Sequence, residues 1–407
     1  MKAYLFTNEN GQRFILPFFL IASLFLLSGY TNSLLDVLNK YFQESLHISR
    51  AQSGLVQFAL YSGYFLMALP AGILLKKWGF NKGIVTGLFV LVGGSLLFIP
   101  GAYYKSFFIF LIALFIIACG FTFFETAANP LATFLGSKKG AERRINLAQS
   151  FNGVGWILGP LLGGLIIFSE GETEVTNFKN LPVPFIILSS LVLLIAIFLL
   201  RNPLPNIQTI SEEKVKHETP ARPLLSYRHL IWAVIAQFFY TASQTGVNSF
   251  FINYATETDS AMSNQQAAVL LSFGGMGLFV LGRFTGSYFL KWIKAHKLLA
   301  IYAAAGSILM LIVVLSLGKI SIIALIATYF FMSIMYPTIF ALGIKDLGGQ
   351  VPRASSLLVM AIVGGALCPM LMGYIADISS MPVGFVVPLA GFTIILLFGL
   401  FGYKVRS

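Results

Sequence analysis

Twelve hydrophobic runs, each near the roughly 20 residues that a helix needs to cross a bilayer, occupy more than two thirds of this chain. They can be drawn at 14–38, 52–75, 83–103, 107–134, 145–168, 182–200, 229–254, 265–290, 298–317, 320–344, 354–377 and 384–403. A segment that spans lipid has to satisfy its backbone hydrogen bonds as a helix or as a strand of a closed barrel. These runs are too long and too uniformly apolar for barrel strands, which alternate over about ten residues. The expected fold is therefore an all-α membrane protein with twelve transmembrane helices. Composition agrees, because only 10% of the residues are charged, against about a quarter in soluble domains.

Basic residues collect on the cytoplasmic side of short loops, and they orient the chain. With both termini inside, 21 Lys and Arg fall on inner segments and five, Lys40, Arg50, Lys105, Lys179 and Lys319, on outer ones. The net charge of +12 then reads as a topology signal facing anionic lipid, with no nucleic acid as partner. The first run is longer than a signal-peptide core and lacks a small-residue cleavage pattern, so a retained first helix is expected. Cys119 and Cys368 sit in apolar runs without a CxxC pair, and the four histidines lack ligand spacing. The expectation is no metal and no cofactor, in a multi-pass, monomeric protein of a bacterial inner membrane.

The longest polar stretch, 201–228, leaves six runs on either side. At an offset of 214, Gly63 matches Gly277, Gly72 matches Gly286, and Lys77-Trp78 matches Lys291-Trp292. "NPLATFLG" (129–136) then meets "YPTIFALG" (336–343), and Pro160 meets Pro369. An even number of helices per half makes these parallel repeats, related by an axis along the membrane normal, which is a transporter arrangement. The predicted organisation is two pseudo-symmetric six-helix bundles, 1–200 and 229–407, joined by a cytoplasmic linker over 201–228.

Two acids break the apolar pattern in the first half, and the repeat does not reproduce them. Glu125 in "FTFFETAANP" falls opposite Met332, and Asp36 in "NSLLDVLNKYF" falls opposite Phe250. The architecture therefore does not require them. A buried charge costs several kcal/mol unless it is paired or neutralised. Arg283, the lone basic residue inside a predicted span, is one available partner. The other reading is that Asp36 and Glu125 take up and release protons, which desolvated carboxyls are suited to do. Helix direction places Asp36 toward the outer side and Glu125 further in.

Amides and phenols supply the rest of a polar lining. Gln57 and Tyr61 lie in the second run, Asn129 in the fourth, Gln149 and Asn152 in the fifth, and Gln237, Tyr240, Gln244, Asn248 and Asn253 in the seventh. Such groups both donate and accept, which suits an uncharged polyhydroxylated solute, with Tyr61 and Tyr240 able to stack on a sugar ring. An anionic substrate calls for a cluster of inward Lys or Arg, and only Arg283 is present. No nucleophile, metal cluster or catalytic pair suggests an enzyme, and no appended signalling domain is seen in the sequence.

"SGLVQFALYSGYFLMALPAGILLKKWGFNKG", "FFETAANPLATFLG", "INLAQSFNGVG", "LGRFTGSYFL" and "MSIMYPTIFALGIKDLG" together resemble the fucose permease branch of the major facilitator superfamily, proton symporters of fucose, galactose and glucose. The likeness covers nearly the whole chain. It implies the major facilitator fold, alternating access, and proton coupling at Asp36 and Glu125, with Asn152 as the asparagine of the "NLAQ.FN" stretch. Ser28 and Asn248 stand where that branch has aromatic residues, so the candidate sugars extend from fucose to glucose, galactose, mannose and N-acetylhexosamines. "GWILGPLLGG" (155–164) matches a glycine pattern associated with facilitator antiporters; its physical content is close helix packing. A proton-coupled exporter of a small neutral solute is the alternative function.

Overall fold

The computed structural model describes residues 5–7, 11–46, 55–167, 178–204, 223–262 and 264–405. Twelve helical passages run through them. In the first half these are α1 (Ile15–Ser45), α2 (Leu55–Trp78), α3 (Phe80–Leu96, continued by Phe98–Tyr103), α4 (Phe107–Phe134), α5 (Ala141–Ile167) and α6 (Val183–Arg201). In the second half α7 is Arg228–Thr258, and α8 runs from Asn264–Val269 through a π-helical turn, Leu270–Met276, into Gly277–Phe289. Next come α9 (Ala295–Val314) and α10, formed by Lys319–Met332 and Met335–Gly343. The last two are α11 (Val351–Met360, a 3-10 turn at Ala361–Val363, then Gly364–Ile378) and α12 (Val386–Leu397, continued by Phe398–Gly402). Among the described residues there is no strand, only an isolated antiparallel pairing of Thr7 with Arg13.

Nine of the passages are long and apolar enough to be membrane spans on those grounds alone. The other three are α5, α7 and α8. They carry Gln149 and Asn152, then Gln237, Gln244 and Asn248, then Arg283.

Each half packs as a bundle: α1 lies on α5, α4 on α2 and α3, and α7 on α11 and α12, with α9 against α10 and α12. Between halves, α2 meets α11 and α5 meets α8. The repeat pairs α2 with α8 and α5 with α11, so each contact is the symmetry mate of the other. Large apolar side chains such as Phe58, Leu66, Leu194 and Ile308 remain exposed around the outside, as lipid-facing surface requires, since lipid tails are as apolar as leucine.

Close approach supplies the attraction that water would otherwise drive. A Cβ on Gly155 would strike the Leu26 carbonyl, one on Gly159 would strike Ser33, and one on Gly29 would strike the Asn152 carbonyl. The glycine-patterned stretch of α5 is thus the surface on which α1 rides. Arg144 is fully buried, although its position in the sequence suggested a topology charge. Its guanidinium donates to the Ala132 carbonyl at 3.2 Å, to Thr133, to Ser137 at 2.9 Å and to Leu5 at 3.0 Å. Ala132 and Thr133 close α4, whose last carbonyls have no helical donor, and a cation there also meets the negative end of the helix dipole.

Gly155→Val should lower the midpoint of thermal unfolding of purified protein by several degrees, or prevent its accumulation. Gly93→Ala, where an added Cβ meets nothing within 4 Å, should leave the midpoint within about one degree, as expected for a surface change away from any packed feature.

Candidate functional site

The two bundles are joined by a ladder of polar contacts that climbs α5 in steps of three residues. At its foot Ser287 on α8 donates to the Arg143 carbonyl at 3.2 Å. One step up, Asn146 Nδ2 donates to Thr338 Oγ1 on α10 at 3.0 Å. Above it Arg283 donates to the Gln149 carbonyl and, at 3.2 Å, to Asn152 Oδ1. Residues three apart share a helix face, which is why one side of α5 meets both α8 and α10. A further crossing bond joins the Tyr61 hydroxyl on α2 to Thr245 Oγ1 on α7 at 3.3 Å. These contacts run from the end of the bundles that carries the chain termini up to about mid-helix, so this conformation is closed at that end.

Arg283 is 4% exposed and, among the described residues, has no acid in ion-pair contact. Its Nε donates to the Ser333 carbonyl at 3.0 Å, and its guanidinium lies 4.5 Å from the centre of the Phe279 ring. The Ser333 carbonyl is free for a chain-local reason. In a continuous helix it would accept from residue 337, but that residue is Pro337, which has no N–H, and α10 is interrupted there between Met332 and Met335. The repeated proline withdraws a helical donor in both halves, from the Thr126 carbonyl at Pro130 and from the Ser333 carbonyl at Pro337; α4 stays unbroken around Pro130, whereas at Pro337 the arginine takes the freed carbonyl. The sequence left open a pairing of Arg283 with Glu125; the geometry gives Arg283 carbonyl and amide acceptors instead.

Glu125 lies on α4, buried, with hydroxyls as its partners. Ser28 Oγ on α1 donates to its Oε1 at 3.1 Å, and the Tyr64 hydroxyl on α2 donates to the same oxygen at 3.2 Å. Among the described residues, Oε2 accepts no hydrogen bond. Three helices of one bundle thus converge on one carboxyl oxygen and leave the other for a proton. Asp36 is on α1, eight residues beyond Ser28; at 1.5 Å per residue it is about 12 Å further from the terminus-bearing end. Its side chain lies outside what is described.

The predicted amides divide into three groups. Gln149 Nε2 donates to Asn129 Oδ1 at 2.9 Å, within the first bundle. Asn152 is bonded at both ends, with Nδ2 donating to the Phe25 carbonyl at 3.2 Å while Oδ1 accepts from Arg283. Gln57, Gln244 and Asn248 are half-buried along α2 and α7 and bond no described protein group. Tyr240 is fully buried, and its ring meets that of Tyr336 edge-on at 6.1 Å, so it presents no open face for stacking. Asn253 is exposed, away from the seam. Tyr64, Asn146, Thr338 and Tyr336 are participants that the sequence did not single out, and Ser28 stood out only as a departure from the aromatic residue of the resembled branch, not as a partner of Glu125. Tyr64 and Asn146 had a usable signal, since each stands three residues from a predicted site residue, Tyr61 and Gln149.

The sequence profile described as Major Facilitator Superfamily matches residues 21–362. The L-fucose-proton symporter of Escherichia coli (strain K12) is 37% identical, over 96% of this chain and 94% of its own length. A glucose/galactose transporter of Brucella abortus biovar 1 (strain 9-941) is 34% identical, over 94% and 92%. A crystal structure of the transporter FucP, in the outward conformation, superposes with a TM-score of 0.86 at 36% identity, covering 97% of this chain and all of that one.

Removing the guanidinium should loosen the ladder, because hydrogen bonds to a charged group contribute roughly 1.5–3 kcal/mol each. With Ser287→Cys as reporter, adding Arg283→Met should raise labelling by a maleimide applied at the terminus-bearing face at least threefold. An unchanged labelling rate would mean that the other crossing contacts hold this end closed without Arg283.

Proposed function

Because the chain belongs to the Major Facilitator Superfamily, we propose that it takes up a neutral monosaccharide together with protons by alternating access, with Glu125 as a protonatable coupling group. The observation that carries this reading is the setting of Glu125: a buried carboxyl with hydroxyl donors on one oxygen and, among the described residues, no cation in contact. An ionised carboxylate would cost several kcal/mol to keep in such a place. A neutral one costs little. The relatives named as an L-fucose-proton symporter and a glucose/galactose transporter support a sugar as the solute and a proton as the coupling ion.

Asp36, about 12 Å further along α1, is the second coupling group in this proposal and receives the proton nearer the outer surface. The sugar is held between the bundles by amides from both, with Gln57, Gln149, Asn152 and Asn129 from the first and Gln244 and Asn248 from the second, and with Tyr61 and Tyr240 bordering the site. Asn152 links recognition to movement. Its Oδ1 is held by Arg283 in the closed ladder, so a sugar hydroxyl that takes this oxygen competes with a bond that keeps the terminus-bearing end shut. Residues 1–200 and 229–407 move as the two rocking units, and both termini lie in the cytoplasm of a bacterial cell.

The test separates net uptake from exchange. Glu125→Gln keeps shape and hydrogen bonding but cannot release a proton, so proteoliposomes carrying it should lose at least tenfold in proton-driven accumulation of labelled sugar. They should still exchange labelled for unlabelled sugar, since a loaded carrier reorients without net proton release. Loss of exchange in a folded variant that still binds sugar would give the carboxyl a direct role in sugar recognition. Normal accumulation with accompanying proton entry in both Glu125→Gln and Asp36→Asn would remove both acids from the coupling scheme.

A further inference from the structure

Apart from the seam, a cluster of positive charge lies on the terminus-bearing face of the second bundle, where three separate segments of chain meet. His296, in the first turn of α9, stacks flat on Tyr403 at the end of α12, with ring centres 3.9 Å apart and planes 6° from parallel. Four lysines act electrostatically on that imidazole: Lys294 and Lys297 beside it, Lys345 after α10, and Lys404 after α12. All four are exposed. None of them has a carboxylate within ion-pair distance among the described residues; the neighbouring acid, Asp346, acts on His229 instead.

From this arrangement we infer that the face holds the phosphate headgroup of an anionic phospholipid. Four like charges brought together by the fold repel one another, and among the described residues no carboxylate pairs with them, so an anion that binds here is favoured by all four. Lipid is favoured over a soluble anion by what adjoins the lysines. Ile301 and Ile308 lie one turn and then about two further turns along α9 from Lys297, on the same helix face, and are 54% and 62% exposed. Lys297 therefore stands at the headgroup end of a stripe that faces acyl chains. On the neighbouring passage Trp292 is exposed beside Lys291, whose Nζ lies 5.3 Å from the ring centre. Tryptophan at that depth marks the membrane interface. A headgroup seated among these lysines would tie the ends of α9, α10 and α12 together.

Each basic residue near an anionic surface strengthens attachment roughly fivefold, so removing three should weaken it by about a hundredfold. The measurement is the thermal unfolding midpoint of purified protein in phosphatidylcholine nanodiscs, with and without phosphatidylglycerol. Wild type should be stabilised by phosphatidylglycerol, and Lys294→Gln/Lys297→Gln/Lys404→Gln should lose most of that gain. A matched variant of the first bundle, Lys77→Gln/Lys82→Gln/Lys139→Gln, should keep it. Equal loss in both variants would reduce the effect to general surface charge and overturn the site. Full stabilisation by inorganic phosphate in phosphatidylcholine discs would overturn the lipid assignment. Retention of the whole gain by the second-bundle variant would overturn the proposal outright.

Discussion

A guanidinium in the middle of a membrane protein has to be surrounded by acceptors, and the placing of Arg283 organises the seam between the two bundles. One of its acceptors exists because Pro337 leaves the Ser333 carbonyl without a helical donor. The others, the Gln149 carbonyl and Asn152 Oδ1, belong to the opposite bundle. The arginine is therefore anchored on its own side by a break in α10 and reaches across with the rest of its donors. Because an uncompensated buried charge costs several kcal/mol, the two bundles cannot part at this level unless other groups or water replace those acceptors. That makes the contact a latch: stable while closed, yet built from neutral acceptors that water can replace.

The backbone is distributed to match. Helices α1, α2, α4 and α5 of the first bundle are uninterrupted, and α1 is pressed onto the glycines of α5. In the second bundle α8 contains a π-helical turn, α10 is broken and α11 passes through a 3-10 turn. Irregular backbone at membrane depth is tolerated where it is buried in protein or lines a cavity, and these breaks occur in helices that meet the first bundle. The first bundle holds the buried acid, and the second holds the irregular helices at the seam and Arg283. This division is the structural form of the asymmetry seen in the repeat, where Glu125 is matched by Met332. Met332 is the residue at which α10 breaks.

Much of this was legible in the chain itself. The length and apolarity of the runs, the excess of Lys and Arg on alternate loops, and the matched glycines and prolines are local or periodic properties, and lipid allows few answers to them. Glu125 could be recognised as exceptional because ionisation is costly in an apolar run wherever its partners lie. The amide-rich α5 and α7 were legible for the same reason, as the passages where polarity exceeds what lipid tolerates.

Partners were another matter. Ser28 and Tyr64 meet Glu125 from positions 97 and 61 residues away in the chain, and no periodicity links them to it. Arg283 could have faced an acid by sequence alone; its actual acceptors depend on how α8 crosses α5 and on the missing N–H of Pro337. Arg144 counted as one topology charge among many until the fold enclosed it as the cap of α4. Lys294, Lys345 and Lys404 became one patch only when three segment ends were brought side by side. The sequence by itself determined which residues could not rest in lipid unsupported, because desolvation is a property of each group. Tertiary structure alone decided what supports them, because hydrogen bonds are short and directional and depend on how the helices cross.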